Sequence, residues 1–163
     1  LIRLETPADI PAIHGIVAQA FGQDTEALLV DRLRANGKFV LSLVATLDGE
    51  RVGHILYTDM LATAQRLVGL APLSVLPDVQ RRGIGGALVI ESLAYLCEQG
   101  YDGVIVLGHP DYYPRFGFRR ASEFGVRTQF DIPAEHLFAL DLTSTGLKPG
   151  LVRYQPEFEA LAA

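Results

Sequence analysis

Gln80-Arg81-Arg82-Gly83-Ile84-Gly85-Gly86 joins a strand-like run, Leu73-Ser74-Val75-Leu76-Pro77, to an apolar helical stretch that begins near Gly83. A strand feeding a glycine-rich turn and then a helix start is an anion cradle. The N–H groups of a first helical turn have no intrahelical acceptor, the helix dipole adds partial positive charge, and glycines let a phosphate approach the main chain. Arg81 and Arg82 place two cations beside that cradle, which suits a diphosphate. The plainer alternative is a tight strand-to-helix connection, but glycines at a helix start cost chain entropy, which a bound ligand would justify.

The spacing excludes two common phosphate sites. A P-loop requires Lys and Ser or Thr directly after its last glycine, whereas Ala87 and Leu88 follow Gly86. A dinucleotide fingerprint requires glycine at the first, third and sixth positions, and the sixth position from Gly83 is Leu88.

The segment resembles the acetyl-coenzyme A signature of the GNAT acetyltransferases: Gln or Arg, two residues, Gly, one residue, then Gly or Ala. Gln80, Gly83 and Gly85 match it, and residues 73–77 look like that family's fourth strand. Downstream, Tyr112-Tyr113-Pro114-Arg115-Phe116-Gly117-Phe118 resembles the family's motif of tyrosine, three residues and Gly-Phe. The resemblance extends to Ile2-Arg3 and Thr6-Pro7-Ala8-Asp9-Ile10 at the N-terminus, and Lys148-Pro149-Gly150-Leu151-Val152 and Val152-Arg153-Tyr154 resemble an uncharacterised bacterial branch of the superfamily.

The resemblance implies an α/β fold with a central mixed, mostly antiparallel sheet flanked by helices, as one acetyltransferase domain over residues 1–163. It implies that Leu73, Ser74 and Val75 lie on a strand splayed from its neighbour, whose free backbone groups pair with the pantetheine arm. Gln80, Arg81, Arg82, Gly83, Ile84, Gly85 and Gly86 would hold the diphosphate of acetyl-coenzyme A. Tyr113, four residues before the glycine of Gly-Phe, takes the family's general-acid position, and a homodimer is a further implication.

A chain of 163 residues with 49% hydrophobic residues is long enough for one well-buried core. Its single cysteine, Cys97, excludes an intramolecular disulfide, and no apolar run approaches the roughly 18 residues of a membrane span. The opening residues alternate polar and apolar, unlike a secretory signal, so the expected compartment is the cytoplasm. A net charge of −5 argues against nucleic acid as a partner, because phosphate-backbone affinity needs a continuous basic surface. Overall acidity favours cationic amines as acceptors.

The spacing predicts a short strand at 2–4, with Thr6 capping a helix over 7–20 whose Pro7 and Asp9 suit its first turn. A second helix follows at 25–35, closed by Asn36-Gly37, then strands at 39–47 and 51–59 joined by Asp48-Gly49. A strand at 66–75 completes an antiparallel meander. A helix over 83–99 and a buried strand at 104–107 make a parallel crossover, with the strand ends framing the ligand crevice. A short helix at 112–116 and strands near 118–120, 137–142 and 151–154 follow. The acceptor site is expected from the first two helices, the 59–64 loop and the C-terminal strands.

Direct transfer needs an oxyanion donor, a general acid and a route for the amine proton. A backbone N–H near Val75 fits the first role. Tyr113 fits the second, since a phenol with pKa of about 10 is protonated at neutral pH; its plainer alternative is packing against Phe116 and Phe118. Glu26, Asp59 and His109 are candidate bases, with water sufficient and none selected. Cys97, among Leu93, Ala94 and Leu96, reads as core. His14, His54, His109 and His136 lack ligand spacing, so no metal is expected. The resulting expectation is an acetyl-coenzyme A-dependent N-acetyltransferase acting on a primary amine. The alternative is a non-catalytic acyl-coenzyme A sensor or partner-binding domain that keeps the cradle and lacks the chemistry.

Overall fold

The computed structural model describes residues 1–161. Nine strands and three α-helices follow in the order β1 (Ile2–Leu4), α1 (Ile10–Phe21), α2 (Thr25–Ala35), β2 (Phe39–Leu47), β3 (Glu50–Asp59), β4 (Leu67–Val75), α3 (Ile84–Glu98), β5 (Gly103–Leu107), β6 (Arg119–Arg120), β7 (Val126–Arg127), β8 (Leu137–Asp141) and β9 (Gly150–Leu151). Seven strands form one sheet in the order β1-β2-β3-β4-β5-β8-β6, while β7 and β9 pair separately. All neighbours in the large sheet are antiparallel except β4 and β5. The parallel β7–β9 pair was not foreseen: each strand has two residues, too short to show periodicity.

Alternation along the strands sorts the core into two layers. Val44, Leu56, Leu67 and Ile105 face α1 and α2, where they meet Ile13, Val17, Val30 and Leu33. Leu43, Ile55, Val68 and Val104 face α3 and meet Leu88, Val89 and Leu96. Residues of β5 are covered on both faces, which is why Val104-Ile105-Val106 reads as an unbroken apolar run.

The N-terminal signals act as a unit. Residues 7–9 form a 3₁₀ turn that runs into α1, and Thr6 N–H donates to Asp9 Oδ2 at 2.7 Å. Asp9 does more than complement a helix dipole: it is fully buried and accepts hydrogen bonds from both Arg3 and Arg51, clamping β1, α1 and β3. Those donors hold its carboxyl well below the usual range, Arg3 contributing most and burial opposing.

The feature that places the site is a fork in the sheet. Residues Leu67, Val68 and Gly69 of β4 pair with Gly103, Val104 and Ile105 of β5, and the pairing stops there. On the other edge of β4, Tyr57 pairs with Leu70 and Ile55 with Leu73, so Leu56 alone faces both Ala71 and Pro72. That extra residue is a β-bulge, which bends its strand, and Pro72, with no N–H to donate, occupies it. Beyond the bulge β4 follows β3 away from β5.

Candidate active site

Past the bulge, β4 keeps one hydrogen-bonded edge and leaves the other open. Leu76 N–H donates to Val52 O, which makes Leu76 and Ser74 the residues whose main-chain groups face β3. By the same alternation, Leu73 and Val75 turn their N–H and C=O groups toward the opening. Ser74 therefore differs from its two neighbours: its backbone pairs with His54, and its buried hydroxyl has no partner.

The glycine turn lies at the end of this open edge. Gln80 Nε2 donates to Val75 O at 3.0 Å, so its amide braces the strand end. Arg81 is left-handed, with φ of 64°, and Gly83 caps α3 at φ of 83°, a conformation only glycine adopts freely. The curled turn resembles the main-chain concavities that bind anions. Ala87 N–H makes the first helical bond, to Gly83 O at 3.0 Å, so the N–H groups of Ile84, Gly85 and Gly86 have no intrahelical acceptor. Arg81 and Arg82 are exposed beside them and form no ion pair among the described residues.

Tyr113 begins the 3₁₀ turn Tyr113–Phe116 and meets Tyr112 and Phe118 edge-on, with ring centroids 5.1 and 5.5 Å away. A β-carbon on Gly108 would lie 2.1 Å from the Tyr113 ring, so the absence of a side chain there lets the ring rest on the end of β5. Packing and access coexist: Tyr113 is 8% exposed, yet it borders the cleft at the fork. Burial, with a smaller contribution from Tyr112, pushes its phenol above the ordinary value, so it stays protonated. Tyr112, which the motif spacing sets aside as general acid in favour of Tyr113, also borders the cleft. Its hydroxyl is 3.0 Å from where a Gly85 β-carbon would stand, which puts it at the start of α3.

The cleft, about 750 Å³, enters between the open parts of β4 and β5 and continues to the α1–α2 side of the sheet. Leu70, Ala71, Pro72 and Leu73 form one wall, and Leu107, Gly108, Tyr112 and Tyr113 another. Phe21, Glu26 and Leu29 come from the first two helices, and Phe130, Asp131, Tyr154 and Phe158 from the C-terminal third. The 59–64 loop, expected to contribute, does not line it. Of the three candidate bases, Glu26 and His109 border the cleft and Asp59 does not. His109 is 69% exposed and its Nδ1 accepts Asp111 N–H at 3.1 Å, the behaviour of a turn residue.

One residue is placed differently from its sequence reading, and a second, His54, has a structural role. Cys97 is exposed on α3 and not in the core, because it falls on the outward side of the helix between Leu96 and Glu98. His54 is fully buried in β3, where its Nε2 meets Ser42 Oγ at 2.8 Å, and Ser42 in turn donates to Glu5, the partner of Arg34. Burial is the main reason its pKa is pushed down to about 4, so it is neutral at pH 7. This network ties α2 and β1 to the intact part of the sheet. Among the described residues, no group of three or more His, Cys, Asp or Glu side chains is placed to hold a metal ion, and no helix is long and apolar enough to cross a membrane.

The model of the acetyltransferase (GNAT) domain matches residues 38–120, which run from β2 through the glycine turn to the Tyr113 motif. The chain is 36% identical over 163 residues to the uncharacterized N-acetyltransferase YhbS of Escherichia coli K12, covering 97% of this chain and 98% of that protein. The crystal structure of E. coli YhbS in complex with CoA superposes with a TM-score of 0.91 at 34% identity, covering 98% of this chain and 91% of that one. A GNAT family acetyltransferase from Brucella melitensis in complex with acetyl-CoA gives a TM-score of 0.82 at 34% identity, with 97% of each chain covered. The forked sheet, the glycine turn and these relatives together show that the chain belongs to the GNAT acetyltransferase family.

Proposed function

We propose that the protein transfers the acetyl group of acetyl-coenzyme A directly to a primary amine across the fork between β4 and β5. The observation that carries this reading is the convergence of three things on one opening: the open edge of β4, the N-terminus of α3 and the Tyr113 phenol. The CoA and acetyl-CoA complexes of the two similar proteins support the choice of donor.

The residues present fit that donor. Free N–H groups of Ile84, Gly85 and Gly86, with the left-handed turn at Arg81 and Gly83, suit a diphosphate, and exposed Arg81 and Arg82 add charge-assisted hydrogen bonds. Leu73 offers main-chain groups to the amide-bearing arm, Val75 directs its N–H at the acyl group, and Ser74 contributes by keeping that strand registered to β3. Gln80 acts through the strand end that it braces.

When bound, acetyl-coenzyme A supplies an activated acyl carbon, so a nitrogen–carbon bond forms as the carbon–sulfur bond breaks. A backbone N–H at Val75, fixed before reaction by the strand, stabilises the oxygen on which negative charge develops; one such donor contributes about 10²–10³ in rate in other enzymes. Tyr113 gives its phenolic proton to the departing sulfur, and its raised pKa keeps that proton available. The proton lost from the amine passes to Glu26 or to water at the cleft.

The test is amine-dependent release of free thiol from acetyl-coenzyme A across amines, amino acids, aminoglycosides and peptides. Release above the amine-free background is expected. Calorimetric binding of acetyl-coenzyme A without release from any acceptor would favour a binding module instead.

A further inference from the structure

Direct transfer to an amine leaves the rest of the acceptor unspecified, and the walls of the cleft specify it; this inference rests on that transfer. Phe130, Tyr154 and Phe158 make a continuous aromatic wall, with ring centroids 5.9 Å apart for Phe130 and Tyr154 and 5.1 Å for Tyr154 and Phe158. The Tyr154 ring lies against β4 at the root of the fork, since a β-carbon on Gly69 would stand 2.8 Å from it. Tyr154 is 3% exposed, it lines the cleft, and its hydroxyl has no hydrogen-bond partner. A buried hydroxyl without a partner is costly.

Besides the exposed His109, the charged side chains lining the cleft have one sign. Glu26 on α2 and Asp131 before β8 are carboxylates, and neither Lys nor Arg lines the cleft among the described residues. Aromatic faces attract a cation, carboxylates hold it, and both would repel a second carboxylate on the same molecule. We propose that the acceptor is an amine carried on an apolar stem, arylalkyl or alkyl, with no carboxylate beside the amine, and that Glu26 and Asp131 determine this specificity. A long acyl chain on the donor would also find apolar walls, but the two carboxylates would do nothing for it.

Rates of thiol release with phenethylamine, hexylamine, ethanolamine and phenylalanine, at saturating acetyl-coenzyme A, test the assignment. Phenethylamine and hexylamine should exceed ethanolamine and phenylalanine in kcat/KM by roughly tenfold or more. The Glu26→Gln, Asp131→Asn double variant should raise the KM for phenethylamine roughly tenfold, leave the KM for acetyl-coenzyme A unchanged and narrow the discrimination against phenylalanine. Phe130→Ala, which keeps both carboxylates, should narrow the preference for phenethylamine over ethanolamine. Equal use of phenylalanine and phenethylamine, or an unchanged phenethylamine KM in a double variant that melts like the parent, would overturn the specificity assignment and leave transfer standing. No turnover of any amine, with acetyl-coenzyme A still bound in calorimetry, would overturn transfer and this inference with it.

Discussion

The two sides of the fork are built in different ways. On the α3 side, the open strand, the glycine turn and the first turn of the helix come from one stretch, residues 70–86. On the α1–α2 side, the walls come from residues near 21–29, 70–73, 107–113, 130–132 and 154–161. A main-chain cradle needs neighbouring N–H groups in a fixed conformation, so its parts must be adjacent in sequence. A side-chain cleft needs only surfaces that folding brings together. On the proposed assignment donor recognition is local and acceptor recognition is dispersed, and substitutions on the two sides should move different kinetic constants.

The largest effect is expected at the junction of the two sides. Tyr113→Phe should lower kcat about 100-fold with the acetyl-coenzyme A KM unchanged, as measured by initial rates of thiol release. Because burial raises the Tyr113 phenol, kcat/KM should rise as the amine deprotonates and show no alkaline fall attributable to this group below about pH 10. A fall near pH 8 that Tyr113→Phe abolishes would contradict that placement.

On the local side, Gly85→Val puts branched carbons where the Tyr112 hydroxyl, Val75 and Leu73 converge. It should raise the acetyl-coenzyme A KM at least roughly tenfold, because a side chain there occupies the space a diphosphate needs beside the helix N-terminus, without altering selectivity among amines. Normal binding in this variant would show that the cradle is elsewhere. Replacing both Arg81 and Arg82 by Ala should have a smaller effect of the same kind, about fivefold, and that effect should shrink with added salt because both side chains are exposed.

Asp9 lies on neither side of the fork and separates stability from kinetics. Asp9→Asn should cost about 2 kcal/mol in denaturant unfolding through weakened charge-assisted hydrogen bonds to Arg3 and Arg51, with both KM values unchanged. Its folded pKa is depressed, so its stabilising contribution is complete well above the unfolded value of about 3.9 and is lost as pH falls through and below that value. The wild type should therefore lose stability on acidification below about pH 4 more steeply than the variant.

The same contrast explains what was legible in the sequence. Strand alternation, the Asp48-Gly49 turn and helix caps are local, so the meander and the first two helices were read to within a few residues. The fork was anticipated through resemblance, but its cause, one extra residue at Ala71-Pro72, depends on the register with β3 and cannot be seen in β4 alone. Tyr113 stood in a motif with a role attached; Tyr154 stood in a stretch, Val152-Arg153-Tyr154, whose resemblance carries no role, and only tertiary contact places it over Gly69. Cys97 was misassigned because apolar neighbours on a helix do not fix which side a residue takes, and the tertiary packing leaves Leu96 buried and Cys97 exposed. Ser74 was grouped with Leu73 and Val75, although strand alternation turns its main-chain groups to β3.

The central claim is that acetyl passes from a donor on the α3 side to an amine on the α1–α2 side with both present together. Initial rates of thiol release, with acetyl-coenzyme A and the amine varied in a matrix, test it most directly. Double-reciprocal lines that intersect, with release dependent on the amine, are predicted. Parallel lines, the pattern of a covalent acetyl-protein intermediate, would contradict direct transfer across the fork.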